Sequence, residues 1–178
     1  MTERSSTSAT ALGGYLVARY AAHDHRSAAI VCNDGMTTCY ASYPPIPKTT
    51  LDLIERNRDD EALPLLDEMA KNDTNARWGL QNGVWIYGVD SAAEYVRKTA
   101  DYTLSVDQIR SIRTPVLILE GEEDKVFHGQ ADALAQQLQA PHKHVVLRRA
   151  DGAGAHCPEG AMSQLHQTVF NFLASTLA

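Results

Sequence analysis

The sequence predicts an α/β protein in which parallel strands with flanking helices are interrupted by an all-helical insertion. Three observations carry that prediction. Short, almost unbroken apolar runs at 27–32 and 116–119 lack polar alternation, which is the pattern of strands covered on both faces. A third run, 144–147, has the same strand character, and helical patterns separate the second run from the third and follow the third, as right-handed crossovers between parallel strands require. Between the first two runs lies a tract, 45–105, whose apolar residues recur only at helical spacings.

In chain order, residues 1–11 are polar and rich in Ser and Thr and read as a disordered leader. Residues 12–22 read as a helix opened by Gly13 and Gly14, with Leu16, Tyr20 and Ala21 on one face. The first strand ends at Asn33-Asp34-Gly35, a turn signal. Pro44, Pro45 and Pro47 then make a stiff linker. Leu51, Ile54, Leu63, Leu65, Leu66 and Met69 fall at helical spacings, a segment carrying Trp78, Trp85 and Tyr87 follows, and Asp90 is placed to cap a further helix. After the strand at 116–119 comes the acidic loop Glu120-Gly121-Glu122-Glu123-Asp124, then a helix at 129–139. The third strand leads into Asp151-Gly152-Ala153-Gly154-Ala155-His156-Cys157-Pro158 and a last helix at 162–173. About three parallel strands are expected, in a core formed by 12–44 and 106–178, with 45–105 as a helical lid.

Composition narrows the function. A length of 178 residues and a hydrophobic share of 44% fit one globular core. A net charge of −6 argues against nucleic acid or an anionic membrane surface as the main partner. No apolar run approaches the roughly 20 residues of a membrane span, and the polar start has no secretory h-region. Cys32, Cys39 and Cys157 form no CxxC pair, and such a sparse, odd set fits a reducing cytoplasm. The histidines at 128, 142, 144 and 166 lack metal-ligand spacing and read as surface or helix residues, so no metal and no cofactor is expected.

Two chemical groups stand at equivalent places. Asp124 follows the second buried strand and His156 follows the third. Carboxyl ends of parallel strands share one edge of the sheet, so the two side chains can converge there. A carboxylate beside a histidine fixes its tautomer and stabilises the imidazolium formed in general-base catalysis.

The order acid, helix, strand, histidine, together with Thr114-Pro115-Val116-Leu117-Ile118-Leu119 running into Asp124 and with Gly152-Ala153-Gly154-Ala155-His156-Cys157, resembles the latter half of the α/β-hydrolases. The insertion, with Arg77-Trp78-Gly79-Leu80-Gln81-Asn82-Gly83-Val84-Trp85, is similar to the helical lid of one branch. That branch includes 2,6-dihydropseudooxynicotine hydrolase and fungal polyketide-shortening hydrolases. The resemblance runs from about Leu12 to the C-terminus. It implies a partial α/β-hydrolase fold, a triad with Asp124 and His156, and an apolar pocket for a small carbonyl substrate; Trp78, Trp85 and Tyr87, at helical spacings, read equally as lining that pocket or as the core of the lid. It also implies an oxyanion donor in the backbone N–H of Leu12. Some relatives keep an alternative acid at the end of the first strand, where Asp34 stands, although Asn33 and Gly35 beside it favour a plain turn. Cys157, next to His156, could suggest a Cys–His pair but reads as a residue that packs or that supports the site from behind, because chain neighbours rarely point at each other.

The departure from the family pattern lies at the nucleophile. The elbow frame G-x-S-x-G reads Ala9-Thr10-Ala11-Leu12-Gly13, so Ala11 occupies the nucleophile position, and no strand is expected before it. Two readings follow. One is a hydrolase of the serine type, cleaving a C–C, ester or amide bond next to a carbonyl. The other is a fragment or pseudoenzyme without a nucleophile, acting through self-association or through a partner that completes the sheet.

Overall fold

The computed structural model describes residues 5–178. Positions 1–4, the start of the expected leader, lie outside the described residues. The chain divides into two compact units, one formed by the residues up to Thr37 together with Leu104–Ala178, the other by Thr38–Thr103.

The first unit is built on a parallel sheet of strand order β1-β2-β3-β4, with β1 at Ser6–Thr10, β2 at Ala29–Asn33, β3 at Val116–Gly121 and β4 at His142–Leu147. All of β2 is buried, and β3 is buried except at Glu120. These are the runs whose unbroken apolar character announces strands covered on both faces.

β1 corrects the sequence reading. Residues 6–10 of the expected leader form a strand, and the sheet has one strand more than the three read from the sequence. Its partners are backbone groups: Ser6 to Thr10 run in register with Ala29 to Asn33, and the Ala28 N–H donates to Ser5 O at 2.8 Å. An edge strand needs no apolar side chains when its neighbour satisfies its peptide groups and one side meets water. Alternate residues of β1 are accordingly exposed, so the strand leaves no hydrophobic signature.

Crossovers join the parallel strands. Helix α1 (Leu12–His23) follows β1, and the helices α6 (Val106–Ser111) and α7 (Gln130–Gln137) precede and follow β3; the C-terminal α8 (Met162–Leu177) follows β4. The helix after β1 buries Tyr15, Ala18 and Ala21 completely while Leu16 is 48% exposed. The expected face of Leu16, Tyr20 and Ala21 is thus rotated. The small residues Gly14, Ala18 and Ala21 let this helix lie close, and the Tyr15 hydroxyl is met by Arg19 Nη1 at 2.6 Å. Leu165 and Phe172 of the last helix pack with Val31, Leu117, Leu119 and Leu147.

The second unit is helical, with α2 (Lys48–Glu55), α3 (Asp59–Asn72), α4 (Thr74–Tyr87) and α5 (Ala92–Thr99). Ile54, Leu66, Leu80, Tyr95 and Val96 form its core. Asp73 caps α4 through the N–H groups of Asn75 and Ala76. The cap of α5 is Ser91 rather than Asp90: Ser91 Oγ accepts from the Glu94 N–H at 3.1 Å, while the Glu94 carboxylate accepts from the Asp90 N–H.

Gly14 tests the close approach of α1. A Cβ there would approach the Asp34 carbonyl oxygen to well within the sum of the two van der Waals radii. Alanine is better than glycine in a helix by about 1 kcal/mol, but a backbone carbonyl cannot swing aside as a side-chain tip can. Gly14→Ala is therefore expected to destabilise the protein by about 1–3 kcal/mol. Leu16→Ala, on the exposed side, should change stability by about 0.5 kcal/mol or less. Denaturant unfolding of the two variants checks the contrast.

Candidate active site

The loops after the carboxyl ends of β1, β2, β3 and β4 hold, respectively, Ala11, Asp34, Asp124 and His156. In a parallel sheet these positions share one edge.

Asp124 is 4% exposed. Its N–H donates to Gly121 O at 3.0 Å. Its Oδ1 accepts from the N–H of Val126 at 2.7 Å and of Phe127 at 3.4 Å. Its Oδ2 lies 2.9 Å from His156 Nδ1. Burial pushes this carboxyl up, but the His156 hydrogen bond and the Val126 N–H outweigh it and hold Asp124 below its ordinary range.

The histidine loop is fastened to β3 through the backbone. The Glu123 N–H donates to Gly154 O at 2.8 Å. A Cβ on Gly121 would lie 2.7 Å from that same Gly154 oxygen, and a Cβ on Gly154 would lie 2.8 Å from Arg149 N. The glycines that drew attention in the sequence thus permit close passage of two chains. The His156 ring stands edge-on to Phe127, with centroids 5.3 Å apart.

A second carboxylate reaches the same ring nitrogen. Asp34 Oδ2 lies 2.8 Å from His156 Nδ1, and Asp34 is 2% exposed. This carboxylate also accepts from the Cys157 N–H at 3.1 Å and from the Cys157 thiol at 3.0 Å. The sequence reading of Asp34 as a plain turn residue is corrected: it adopts a left-handed turn conformation with φ 60°, and its side chain enters the site.

Cys157 is buried, and only the expectation that it points away from its chain neighbour is corrected. Its Sγ lies 3.3 Å from His156 Nε2, although the two residues are neighbours in the chain. The cause is local: Cys157 has φ 54°, which turns its side chain back towards the ring. Burial raises the Cys157 thiol, His156 opposes this, and Asp34 adds to it. Asp124, Asp34 and Cys157 together push His156 up from 6.5 to about 12.

Ala11 occupies a strained turn. It lies between β1 and α1 with φ 53° and ψ −123°, a region costly for any residue with a Cβ. Its N–H donates to Asn33 O at 2.9 Å, and its carbonyl accepts from the Gly14 N–H at 2.7 Å. A Cβ on Gly13 would lie 2.6 Å from the Ala9 Cβ, which explains why small residues flank this turn. The strand read as missing before the elbow is β1. Leu12 is the first residue of α1, so the helix itself supplies no acceptor for its N–H.

Within the helical unit, Trp78 and Trp85 are 58% and 79% exposed, and Trp78 meets Tyr43 edge-on at 6.0 Å. Tyr87 packs edge-on against Tyr95 and Tyr102, at 5.3 and 5.4 Å. The structure thus brings Asp124 and His156 together and adds Asp34 and Cys157 to them.

No family model matches the chain. A search of curated proteins finds hydrolase LUC6 from Fusarium sp, 24% identical across 98% of this chain and 43% of that protein. It also finds 20-hydroxy-prefusarin hydrolase FUS2 from Gibberella moniliformis, 23% identical across 99% of this chain and 44% of that protein. The chain therefore spans less than half the length of these relatives. Among solved structures, 2,6-dihydroxy-pseudo-oxynicotine hydrolase superposes with a TM-score of 0.57 at 20% identity, over 85% of this chain and 34% of that one. Proline iminopeptidase from Mycobacterium smegmatis gives 0.61 at 14% identity, over 98% and 66%. The fold is that of the α/β-hydrolases, as the sequence motifs implied.

The charge state of His156 is directly measurable. Its raised pKa means that the stabilisation it contributes is fully present below about pH 6.5 and is lost as pH rises from there through about 12. Nitrogen chemical shifts of the imidazole should therefore report an imidazolium still present at pH 8. Asp124→Asn should bring the titration down towards the ordinary histidine range, and a neutral ring at pH 8 in the unaltered protein would contradict the two-carboxylate geometry.

Proposed function

We propose that this chain carries the acid–base side of an α/β-hydrolase site for small carbonyl compounds, with the covalent nucleophile replaced by alanine. The observation that carries the reading is the pairing of His156 Nδ1 with Asp124 Oδ2 at 2.9 Å, at the sheet edge where the β1 end also presents a strained turn with the methyl group of Ala11. In the serine-type scheme, a hydroxyl at position 11 would attack the carbonyl of a C–C, ester or amide bond. His156 would accept its proton and later protonate the leaving group, while Asp124 holds the ring. The N–H of Leu12, at the start of a helix, would stabilise the developing oxyanion. Alanine offers no oxygen, so the proposed chemistry of this chain stops short of an acyl-enzyme. Its proposed role is that of a pseudoenzyme that keeps the carbonyl-site geometry. Among the described residues β1 pairs only with β2, and its outer edge is where further strands, from another copy or a partner, would extend the sheet.

Restoring the oxygen tests this. With a p-nitrophenyl ester, the unaltered chain should show no turnover above its His156→Ala variant. Ala11→Ser should gain about 10²–10⁴-fold over that background, the usual share of general-base assistance. His156→Ala placed on top of Ala11→Ser should remove the gain. Because two carboxylates keep His156 protonated, the Ala11→Ser rate should climb as pH rises above neutral, as the ring begins to lose its proton. Turnover by the unaltered chain that matches the serine variant would mean that another nucleophile operates.

A further inference from the structure

The hydrolytic reading uses Asp124 and His156 and leaves Asp34 and Cys157 unexplained. Asp34, His156 and Cys157 each offer one metal-ligating atom, and these atoms all lie within 4.8 Å of one another. Asp34 Oδ2 is 3.0 Å from Cys157 Sγ, which is 3.3 Å from His156 Nε2. In a tetrahedral zinc complex, metal–ligand bonds of 2.0–2.3 Å put neighbouring donors about 3.5 Å apart. These two pairs therefore need to open by only a few tenths of an ångström, and Asp34 Oδ2, now 2.8 Å from His156 Nδ1, has to turn towards the Nε2 side of the ring. We propose that Asp34, His156 and Cys157 bind one divalent cation of the zinc class, with Asp124 as the residue that orients the imidazole.

The donor set selects the ion. A thiolate with an imidazole and a carboxylate suits zinc rather than the oxygen-seeking magnesium or calcium. The Asp124 carboxylate agrees: a zinc-bound histidine donates its other ring N–H to a carboxylate, and His156 Nδ1 faces Asp124 Oδ2, with Asp34 Oδ2 also within reach, while Nε2 faces the thiol. Asp34 supplies an independent sign. Its Oδ1 is buried without a hydrogen-bond partner in a side chain that is 2% exposed, and a carboxylate oxygen left in that state is costly unless a cation compensates it. The left-handed backbone of Cys157, φ 54°, lets two consecutive residues point at one place. Such strain at a non-glycine residue is typical of ligand clamps.

The protons balance without any redox partner. Zinc takes a thiolate from Cys157 and the free lone pair of His156 Nε2. Binding releases the thiol proton and any proton held on Nε2, the Nδ1 proton stays on the Asp124 side, and the ion takes their place. Three protein ligands leave a fourth position for water.

The test is independent of hydrolysis. The reduced, metal-free full chain is titrated with zinc chloride by calorimetry and with cobalt chloride by absorption. The proposal expects one ion per chain, proton release on binding when buffers of different ionisation heat are compared, and a thiolate-to-cobalt charge-transfer band. Cys157→Ser should abolish the band, and Asp34→Asn should weaken zinc binding at least about tenfold. Asp124→Asn should keep the band while lowering affinity by about 10–100-fold. Cys39→Ser, in the helical unit, should leave all of these unchanged. If the unaltered chain shows no charge-transfer band with cobalt, or if Cys157→Ser binds zinc as the unaltered chain does, the site is not as proposed. Because the decisive readings come from the unaltered chain, a variant that fails to fold does not protect the proposal. Zinc should also silence the esterase of Ala11→Ser by occupying Nε2. If zinc binds while that variant shows no esterase, the hydrolytic reading fails and the metal site stands.

Discussion

The imidazole of His156 lies between two carboxylates that arrive from adjacent strands, Asp34 after β2 and Asp124 after β3. Both acids are nearly inaccessible, at 2% and 4% exposed. Two buried like charges at the spacing of neighbouring strands, about 4.8 Å, repel strongly unless a cation stands between them. His156, whose pKa both acids raise, is placed to be that cation. The surrounding architecture keeps it in place: Gly121 and Gly154 allow the β3 and β4 loops to touch, the Val126 N–H fixes the far oxygen of Asp124, and Phe127 walls the ring. The site is thus an electrostatic unit assembled from loops distant in sequence, and the parallel sheet is what makes them neighbours.

The elbow separates strain from chemistry. A non-glycine residue at φ 53° is held against a cost of about 1–3 kcal/mol, yet Ala11 has no reactive atom to present. The hydrogen bond from its N–H to Asn33 O and the contact of Gly13 with Ala9 are both backbone-level features of the passage from β1 to α1. The sharp turn is therefore a property of a helix that must fold back tightly onto the sheet, with Gly14 pressed on Asp34. A serine would exploit that turn, but it is not needed to maintain it.

What could be read in the sequence follows from what leaves a side-chain signature. β2 and β3 are covered on both faces and announce themselves by apolar runs, and Asp124 and His156 follow from their place after two strands. β1 could not be read because its strand character resides in peptide hydrogen bonds to β2, and Ser and Thr at a solvent-facing edge resemble an unstructured tail. Leu16 misled because hydrophobicity does not say which face of α1 lies close to the sheet, whereas the row of small residues does. Asp34 and Cys157 were discounted on local grounds, as a turn former and as a chain neighbour. The signal that could have found them is the same in both: positive φ at a non-glycine residue, a property of the backbone that the letters Asn-Asp-Gly suggest and the letters His-Cys-Pro conceal.

Loss of the nucleophile and the position of Cys157 bear on one nitrogen. In a serine-type triad the outer nitrogen of the imidazole serves the attacking hydroxyl. In this chain the elbow ends in a methyl group, and the atom that faces Nε2 is the Cys157 sulfur at 3.3 Å. A thiol there is itself hydrogen-bonded to Asp34, and burial and the adjacent carboxylate both raise it, so it is poorly disposed to become a free thiolate nucleophile. A divalent cation changes that balance. It can draw the thiolate, the second carboxylate and the imidazole to itself at once, while Asp124 keeps the role that any hydrolase of this fold would give it. The same ring can thus be bound to a proton or to a metal, and with alanine at position 11 no hydroxyl there competes for it.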